Sequence, residues 1–163
     1  MLGDLIYQHI GKITSIRVLD IGKSKMEVTV IASGKLKNVG NVNTTITYWN
    51  IQSPDGTLYG EGQGVITAKD SGNEMASAIY AKVKEYGVGK YSSGQQHHQQ
   101  QQTIWRGSAF YQSSSSSYTD SKISYLNNIV GVFETEVDDN AGNVILKVWN
   151  GNKRYYESIN RVI

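Results

Sequence analysis

Cysteine is absent from the 163 residues of this chain, and proline occurs once. The lack of cysteine excludes a disulfide framework, a thiol nucleophile and any zinc or iron–sulfur site that needs thiolate ligands. A single domain of this length buries roughly two-thirds of the surface of its unfolded chain, so it needs no such cross-link. The sequence therefore predicts one domain held together by an ordinary hydrophobic core.

Charged residues and long apolar runs are also scarce. Charged side chains make up 18% of the chain, and 16 basic against 14 acidic residues give a formal net charge of +2. Nucleic-acid-binding domains usually carry a clustered basic stripe, which the scattered Lys and Arg residues do not form, so no nucleic-acid partner is expected. No apolar run approaches the ~20 residues of a membrane helix, and residues 1–5 lack the features of a signal peptide. We therefore expect a cytoplasmic protein with no membrane partner.

The residues that are present favour β-strands almost throughout. Val28 and Val30 alternate with polar neighbours, and Ile46 and Tyr48 do the same further along the chain. This period of two is typical of strands with one buried face. The only helical candidate is short, at residues 121–129.

Turn signals divide the chain into eight strands joined mostly by short loops. The strongest is the Ser-Pro-Asp-Gly turn at residues 53–56, because proline presets one backbone dihedral and glycine accepts a positive φ. Closing such an antiparallel sheet removes its two exposed edges. We therefore predict an all-β fold, a closed eight-stranded antiparallel up-and-down β-barrel, with a β-sandwich as the alternative. The predicted strands are residues 11–20, 25–37, 42–52, 57–69, 74–86, 103–113, 130–138 and 143–149.

A low-complexity segment rich in Gln and His interrupts the strands. Residues 91–102 have no apolar anchor to offset the entropy of ordering, so a mobile loop is expected there. His97 and His98 lie in this tract without a third ligand nearby, so no metal and no other cofactor is predicted. The barrel domain is expected to span residues 1–149, followed by a C-terminal tail at 150–163.

The strand at residues 59–65 is the most informative segment. Its three glycines occupy alternate positions on one face, while Glu61 and Gln63 lie on the other. Two explanations remain open, since glycines in a strand need a reason. They accommodate large rings from neighbouring strands, for which Trp49 and Trp105 are suitable, or they leave a cavity for a ligand.

The polar residues near this strand supply the candidate ligand site. If Glu61 points inward, its carboxylate must be paired or protonated there. Arg106 is the expected partner inside the barrel, since a guanidinium forks onto a carboxylate with two bonds, and Glu134 is a second candidate partner. The predicted ligand-binding residues are Tyr48, Glu61, Gln63, Arg106 and Glu134. The other interpretation places Glu61, Arg106 and Glu134 on the outer face, in cross-strand pairs worth less than about 1 kcal/mol each.

Two sets of short motifs are similar to those of known proteins. The first set lies at residues 2–5, 11–13, 126–134 and 142–147, and it resembles motifs of allene oxide cyclases and, more distantly, dirigent proteins. The second set lies at residues 47–49, 58–64, 105–107 and 111–112, and it is similar to an uncharacterised bacterial and archaeal group with the same barrel. This resemblance implies a small antiparallel barrel, but a cysteine that lines the plant cavity has no counterpart here.

The expected function is binding of a small apolar ligand in the mouth or lumen of the barrel, because ~8 strands leave room for side chains alone or for one small ligand. An isomerase or cyclase-type enzyme that uses a lumen carboxylate and Arg is the first alternative, and a structural oligomerisation module is the second. A lumen of a few hundred cubic ångströms would favour binding or catalysis, and a filled lumen the structural module. Exposed Tyr, Val and Ile on the outer faces also predict a homodimer or homotrimer.

Overall fold

Eight antiparallel strands form a closed barrel in the computed structural model, which describes residues 2–68, 79–92, 101–114 and 120–151. The strands pair in sequence order, and the last strand pairs back onto the first. The predicted up-and-down barrel is therefore confirmed, and the sandwich alternative is wrong. The strands are β1 (Leu5–Asp20), β2 (Lys25–Leu36), β3 (Gly40–Gln52), β4 (Leu58–Ala68), β5 (Ile79–Ser92), β6 (Gln102–Ser113), β7 (Val130–Asp138) and β8 (Asn143–Asn150).

Two strands extend well beyond the sequence prediction. β1 begins at Leu5 instead of residue 11, and β5 ends at Ser92 instead of residue 86. Residues 87–89, which the sequence places between a strand and a loop, are therefore part of β5. Their two glycines face aromatic rings in the interior, so a segment with the composition of a linker is part of the barrel wall.

The tight turns form where the sequence predicts them. Gly56 has a φ of 82°, and its backbone N donates to the carbonyl O of Ser53 at 2.9 Å. Gly142 has a φ of 70° between β7 and β8, where Oδ1 of Asp138 accepts from the backbone N of Asn140 at 3.0 Å. Glycine adopts this left-handed conformation at no steric cost, so both hairpins form without strain.

Alternate residues of the strands point into the barrel and form its core. The predicted burial of Val28, Val30 and Ile46 is confirmed, since all three are buried. Their polar neighbours face outward, as the period of two requires. Other buried aliphatic residues of the core are Val42, Ile66, Val83, Val137, Val144, Leu146 and Val148.

A short helical segment between β6 and β7 packs against the core at one end of the barrel. It consists of an α-helical turn, α1 (Asp120–Ile123), and a 3-10 turn at Ser124–Asn128, which confirms the predicted helical candidate. Ile123 and Leu126 are fully buried in the same cluster as the strand residues. Tyr125 Oη also donates to the carbonyl O of Lys37 at 3.0 Å, so a hydrogen bond connects the segment to the chain that follows β2.

Parts of the sequence prediction fall outside the described residues. These are the centre of the expected loop, residues 93–100 with His97 and His98, and residues 152–163 of the expected tail. Within the described part of the chain, no helix is long and apolar enough to cross a membrane.

Candidate functional site

The barrel interior contains a cavity of about 60 Å³. Its wall is mainly apolar and aromatic, and His9, Glu85 and Thr135 supply polar groups. A single water needs roughly 10–15 Å³ of such space, so the cavity holds several waters or one compact organic molecule. It is much smaller than the roughly 300–1,000 Å³ of sites for drug-sized ligands. The lumen is therefore neither filled nor spacious, and any ligand within it must be compact. Its aromatic members are Tyr48, Trp105 and Phe133.

Several glycines of β4 and β5 face this interior, and aromatic rings lie across three of them. A Cβ atom added to Gly60 would lie 3.1 Å from Cζ3 of Trp105, and one added to Gly89 would lie 2.7 Å from Cδ2 of the same ring. A Cβ on Gly87 would lie 2.9 Å from Cζ of Phe133. Gly60 and Gly87 also line the cavity. In the β4 row only Gly60 accommodates a ring, whereas Gly62 and Gly64 lie against Ile46.

Glu61 lies on the outer face of β4, because its glycine neighbours face inward and strand residues alternate. Tyr59 Oη donates to Oε1 of Glu61 at 3.5 Å. Trp49 lies directly opposite Glu61 on β3 and is 6.0 Å from the Tyr59 ring. Trp49 is therefore an outer-face residue and does not cover the glycines, whereas Trp105 does.

Arg106 pairs with Glu134 on the outer face, with Nε and Oε2 2.7 Å apart. The two side chains are 72% and 36% exposed, respectively. The prediction that Glu61 and Arg106 meet inside the barrel is therefore wrong, because Arg106 follows the inward-facing Trp105 and so points outward. The alternative interpretation, with Glu61, Arg106 and Glu134 outside, is confirmed.

The five predicted ligand-binding residues do not form one cluster. Tyr48 lines the cavity, where its ring lies 6.0 Å from that of Trp105. Glu61 borders the cavity, but its side chain bonds on the outer face. Gln63 lies in a shallow depression on the outside of the sheet, away from the cavity. The remaining two, Arg106 and Glu134, form the exposed ion pair.

Replacing Arg106 by Met is expected to lower the free energy of unfolding by less than about 1 kcal/mol, because exposed ion pairs contribute little. Urea unfolding of the wild-type protein and Arg106→Met measures this difference. Glu134→Gln is the matched control and should cost a similarly small amount. If either variant lowered the free energy of unfolding by roughly 3 kcal/mol, the ion pair would be desolvated, which would contradict its placement on the outer face.

Glu85 is the acidic residue on the inward face of the barrel that lines the cavity, and sequence reasoning missed it. It lies on β5 opposite Gly62 of β4 and Ala109 of β6, so small neighbours leave room around its side chain. Among the described residues its carboxyl group forms no hydrogen bond and no ion pair. Burial raises the pKa of Glu85 from 4.5 to about 7. Near neutral pH the group therefore exists both as the acid and as the carboxylate.

A buried chain of hydrogen bonds holds His9 on the cavity wall. Tyr7 Oη contacts Nδ1 of His9 at 2.9 Å and also hydrogen-bonds Oγ1 of Thr44. His9 is 4% exposed, and burial lowers the pKa of its imidazole from 6.5 to about 4, so the ring is neutral at pH 7. Sequence reasoning set His9 aside because it has no Ser–Asp partners. Its place on a strand face shared with Tyr7 is the signal that indicates burial.

Tyr111 adds a further buried polar group near Glu85. Its hydroxyl has no hydrogen-bond partner among the described residues, and burial raises its pKa, with a contribution from the charge of Glu85. Buried polar atoms in native proteins usually have a partner. Polar groups without a protein partner therefore concentrate in this part of the barrel. In the described part of the chain, no three His, Asp or Glu side chains are placed to hold a metal ion.

No protein-family model matches the sequence, and no curated protein matches it. A solved structure of a protein with unknown function from Clostridium acetobutylicum ATCC 824 is similar, with a TM-score of 0.66 and 13% sequence identity. The match covers 90% of this chain and 94% of the other. At this identity the similarity shows a shared fold alone, and the resemblance to allene oxide cyclases stays a prediction.

Proposed function

We propose that this protein binds one compact, mostly apolar small molecule in the cavity of its barrel. The observation that carries the proposal is a cavity walled by rings that also exposes the carboxyl of Glu85, which has no partner among the described residues. A polar group that faces a cavity takes its missing hydrogen bond from water or from a ligand.

The composition of the wall supports an apolar body for the ligand. Trp105 and Phe133 lie on the cavity together with aliphatic residues such as Val30 and Leu146. Binding sites for small molecules typically combine such apolar walls with a few placed polar groups, which give orientation. The small volume restricts the ligand to about the size of a five-membered ring, and we expect such a probe to bind weakly because few atoms contribute to its affinity.

Cyclopentanone and 2-pyrrolidinone are suitable probes, and NMR titration of the cavity methyl groups measures their binding. We expect saturable shift changes for the methyl groups of Ile46, Val144 and Leu146. Thr135→Leu adds bulk to the cavity wall and should weaken binding at least roughly tenfold, since overpacking a closed site displaces its ligand. Thr45→Leu, on the exposed face of β3, is the matched control and should leave binding unchanged.

Two outcomes would contradict the proposed binding. One is the lack of saturable shifts with either ring in the wild-type protein. The other is equal binding by the wild-type protein and Thr135→Leu, which would place the probes elsewhere on the surface.

An isomerase-type enzyme is a second candidate function, and Glu85 is the observation that favours it. Because burial raises its pKa to about 7, Glu85 is suited to accept and return a proton at neutral pH. The Arg expected in such a mechanism is not part of the cavity, since Arg106 lies outside. Enzyme activity would therefore depend on the carboxyl group and the neutral imidazole of His9.

The remaining expectations concern assembly and location, and they stay predictions. Ile10 is 69% exposed and lies opposite Ile145, which is 42% exposed, on the outer face. Such a neighbouring apolar pair suits self-association as a homodimer or homotrimer, and it also suits the structural oligomerisation module. A cytoplasmic location stays a prediction as well.

A further inference from the structure

The hydrogen-bond chain behind His9 determines which of its ring nitrogens carries the proton. Thr44 is buried, and among the described residues its hydroxyl group hydrogen-bonds only to Tyr7 Oη. The hydroxyl hydrogen of Thr44 is satisfied only if Thr44 donates to Tyr7, which then donates to Nδ1 of His9. Nδ1 is thus an acceptor, and the proton of the neutral imidazole resides on Nε2. His9 therefore offers an N–H donor that no other described residue accepts.

Glu85 lies on the other side of the lumen from His9. In the closed ring of eight strands, β1 and β5 are four strands apart in either direction. His9 on β1 and Glu85 on β5 nevertheless line the same cavity. A molecule that fills this small space therefore contacts both walls and meets a nitrogen donor on one side and a carboxyl group on the other.

We propose that the ligand is a compact neutral molecule whose hydrogen-bond acceptor and donor point in opposite directions, as in a trans secondary amide, and that it bridges His9 and Glu85. Its carbonyl oxygen accepts from Nε2–H of His9, and its N–H donates to the carboxyl group of Glu85. This inference rests on the proposed function, because it assigns a chemical class to the ligand of the same cavity.

The charges around the cavity favour a neutral ligand over an ion. Glu85 would repel an anion, and no Lys or Arg is among the residues that line the cavity. The N–H of the neutral His9 would in turn oppose a cation. A group with one donor and one acceptor satisfies both walls without an unpaired buried charge, which is the arrangement that buried polar groups require.

Three water-soluble probes of similar size and shape separate these possibilities. N-methylacetamide carries a donor and an acceptor that point in opposite directions, 2-butanone carries the acceptor alone, and isopropyl(methyl)ammonium is a cation with donors only. We expect NMR titration of the wild-type protein to show about tenfold tighter binding of N-methylacetamide than of 2-butanone, the difference that one buried hydrogen bond makes. The ammonium ion should bind more weakly than the amide.

Two variants assign the two hydrogen bonds. Glu85→Leu should bring the affinities for amide and ketone to about the same value, because the partner of the amide N–H is gone. Glu136→Leu, an exposed position on β7, is the matched control and should keep the tenfold preference. His9→Phe should weaken amide and ketone together, since both place a carbonyl oxygen against Nε2. Ratios between probes cancel any change in cavity size.

The outcomes distinguish this inference from the proposed function. Equal binding of amide and ketone by the wild-type protein would overturn the bridging ligand and leave the cavity as a binding site. Tightest binding of the ammonium ion would overturn it in favour of a cation on Glu85. A failure of all three probes to bind would overturn the proposed function as well.

Discussion

Glu85→Gln is expected to make the protein about 3 kcal/mol more stable than the wild type at pH 8. Burial raises the pKa of Glu85 from 4.5 to about 7, so the folded state binds this proton more tightly than the unfolded state. The contribution of Glu85 to stability is therefore greatest below pH 4.5 and decreases as the pH rises to about 7. Each pKa unit corresponds to about 1.4 kcal/mol, and Gln avoids the loss because it carries no charge.

His9 has the opposite effect on stability over almost the same pH range. Burial lowers the pKa of its imidazole from 6.5 to about 4, so the unfolded state binds this proton more tightly. The contribution of neutral His9 to stability is fully present above pH 6.5 and is lost as the pH falls to about 4. The magnitude is again about 3 kcal/mol. In the wild type the two slopes therefore largely cancel between about pH 4.5 and 6.5.

Urea unfolding at several pH values between 4 and 8 tests this cancellation. Glu85→Gln should unmask the His9 slope, so its stability should rise with pH up to about 6.5. His9→Phe should unmask the Glu85 slope, so its stability should fall as the pH rises to about 7. Glu136→Gln on the outer face is the control and should follow the wild type. If the free energy of unfolding of Glu85→Gln varied with pH as it does in the wild type, the claim that burial raises the pKa of Glu85 would be wrong.

Trp105→Ala is expected to cost about 3–5 kcal/mol of stability and to make Gly89→Ala tolerable. In the wild type, a Cβ on Gly89 would lie 2.7 Å from two atoms of the Trp105 ring, so Gly89→Ala alone should cost about 1–3 kcal/mol. Without the ring this clash disappears, and Ala is favoured over Gly in a strand by roughly 0.5–1 kcal/mol. The double variant should therefore be at least as stable as Trp105→Ala.

A double-mutant cycle measured by urea unfolding tests this coupling. Gly62→Ala is the matched control, because its Cβ would contact Tyr48 and Ile46 at 3.2 and 3.3 Å and does not meet Trp105. Its cost should be the same with and without Trp105. Additive costs for Trp105→Ala and Gly89→Ala would mean that the ring does not lie over Gly89. Removing the Trp105 ring should lower the cost of Gly60→Ala only in part, since a backbone oxygen also lies 2.9 Å from the Cβ added at Gly60.

The position of Glu85 shows how far the sequence could indicate the site. One face of β5 carries Lys82, Lys84 and Lys90 at even-numbered positions. The other face carries Val83 and Glu85 at odd-numbered positions. Because strand faces alternate, lysines on one face already predict an acidic residue among apolar ones on the other. The predicted strand at residues 74–86 already contained Glu85, and its early end removed only Lys90 and the glycines at 87 and 89 from this pattern.

The row of glycines on β4 illustrates the opposite case. Alternation established that Glu61 and Gln63 share a face, but it left open whether that face is the inner one. A shift of one residue reverses the faces, and the sequence of a strand with glycine on one side and polar residues on the other does not resolve this. Packing decided it, since the ring of Trp105 fits only where Gly60 has no side chain.

The sequence by itself determined the strand pattern, the turns and the closed antiparallel barrel, because alternation and turn chemistry act between residues close in the chain. Tertiary structure alone decided what meets inside the barrel. His9 and Glu85 come from strands four apart, and their approach depends on closure of the whole sheet. The same closure left Arg106 outside with Glu134. Contacts across a lumen depend on long-range geometry, which no local pattern of residues records.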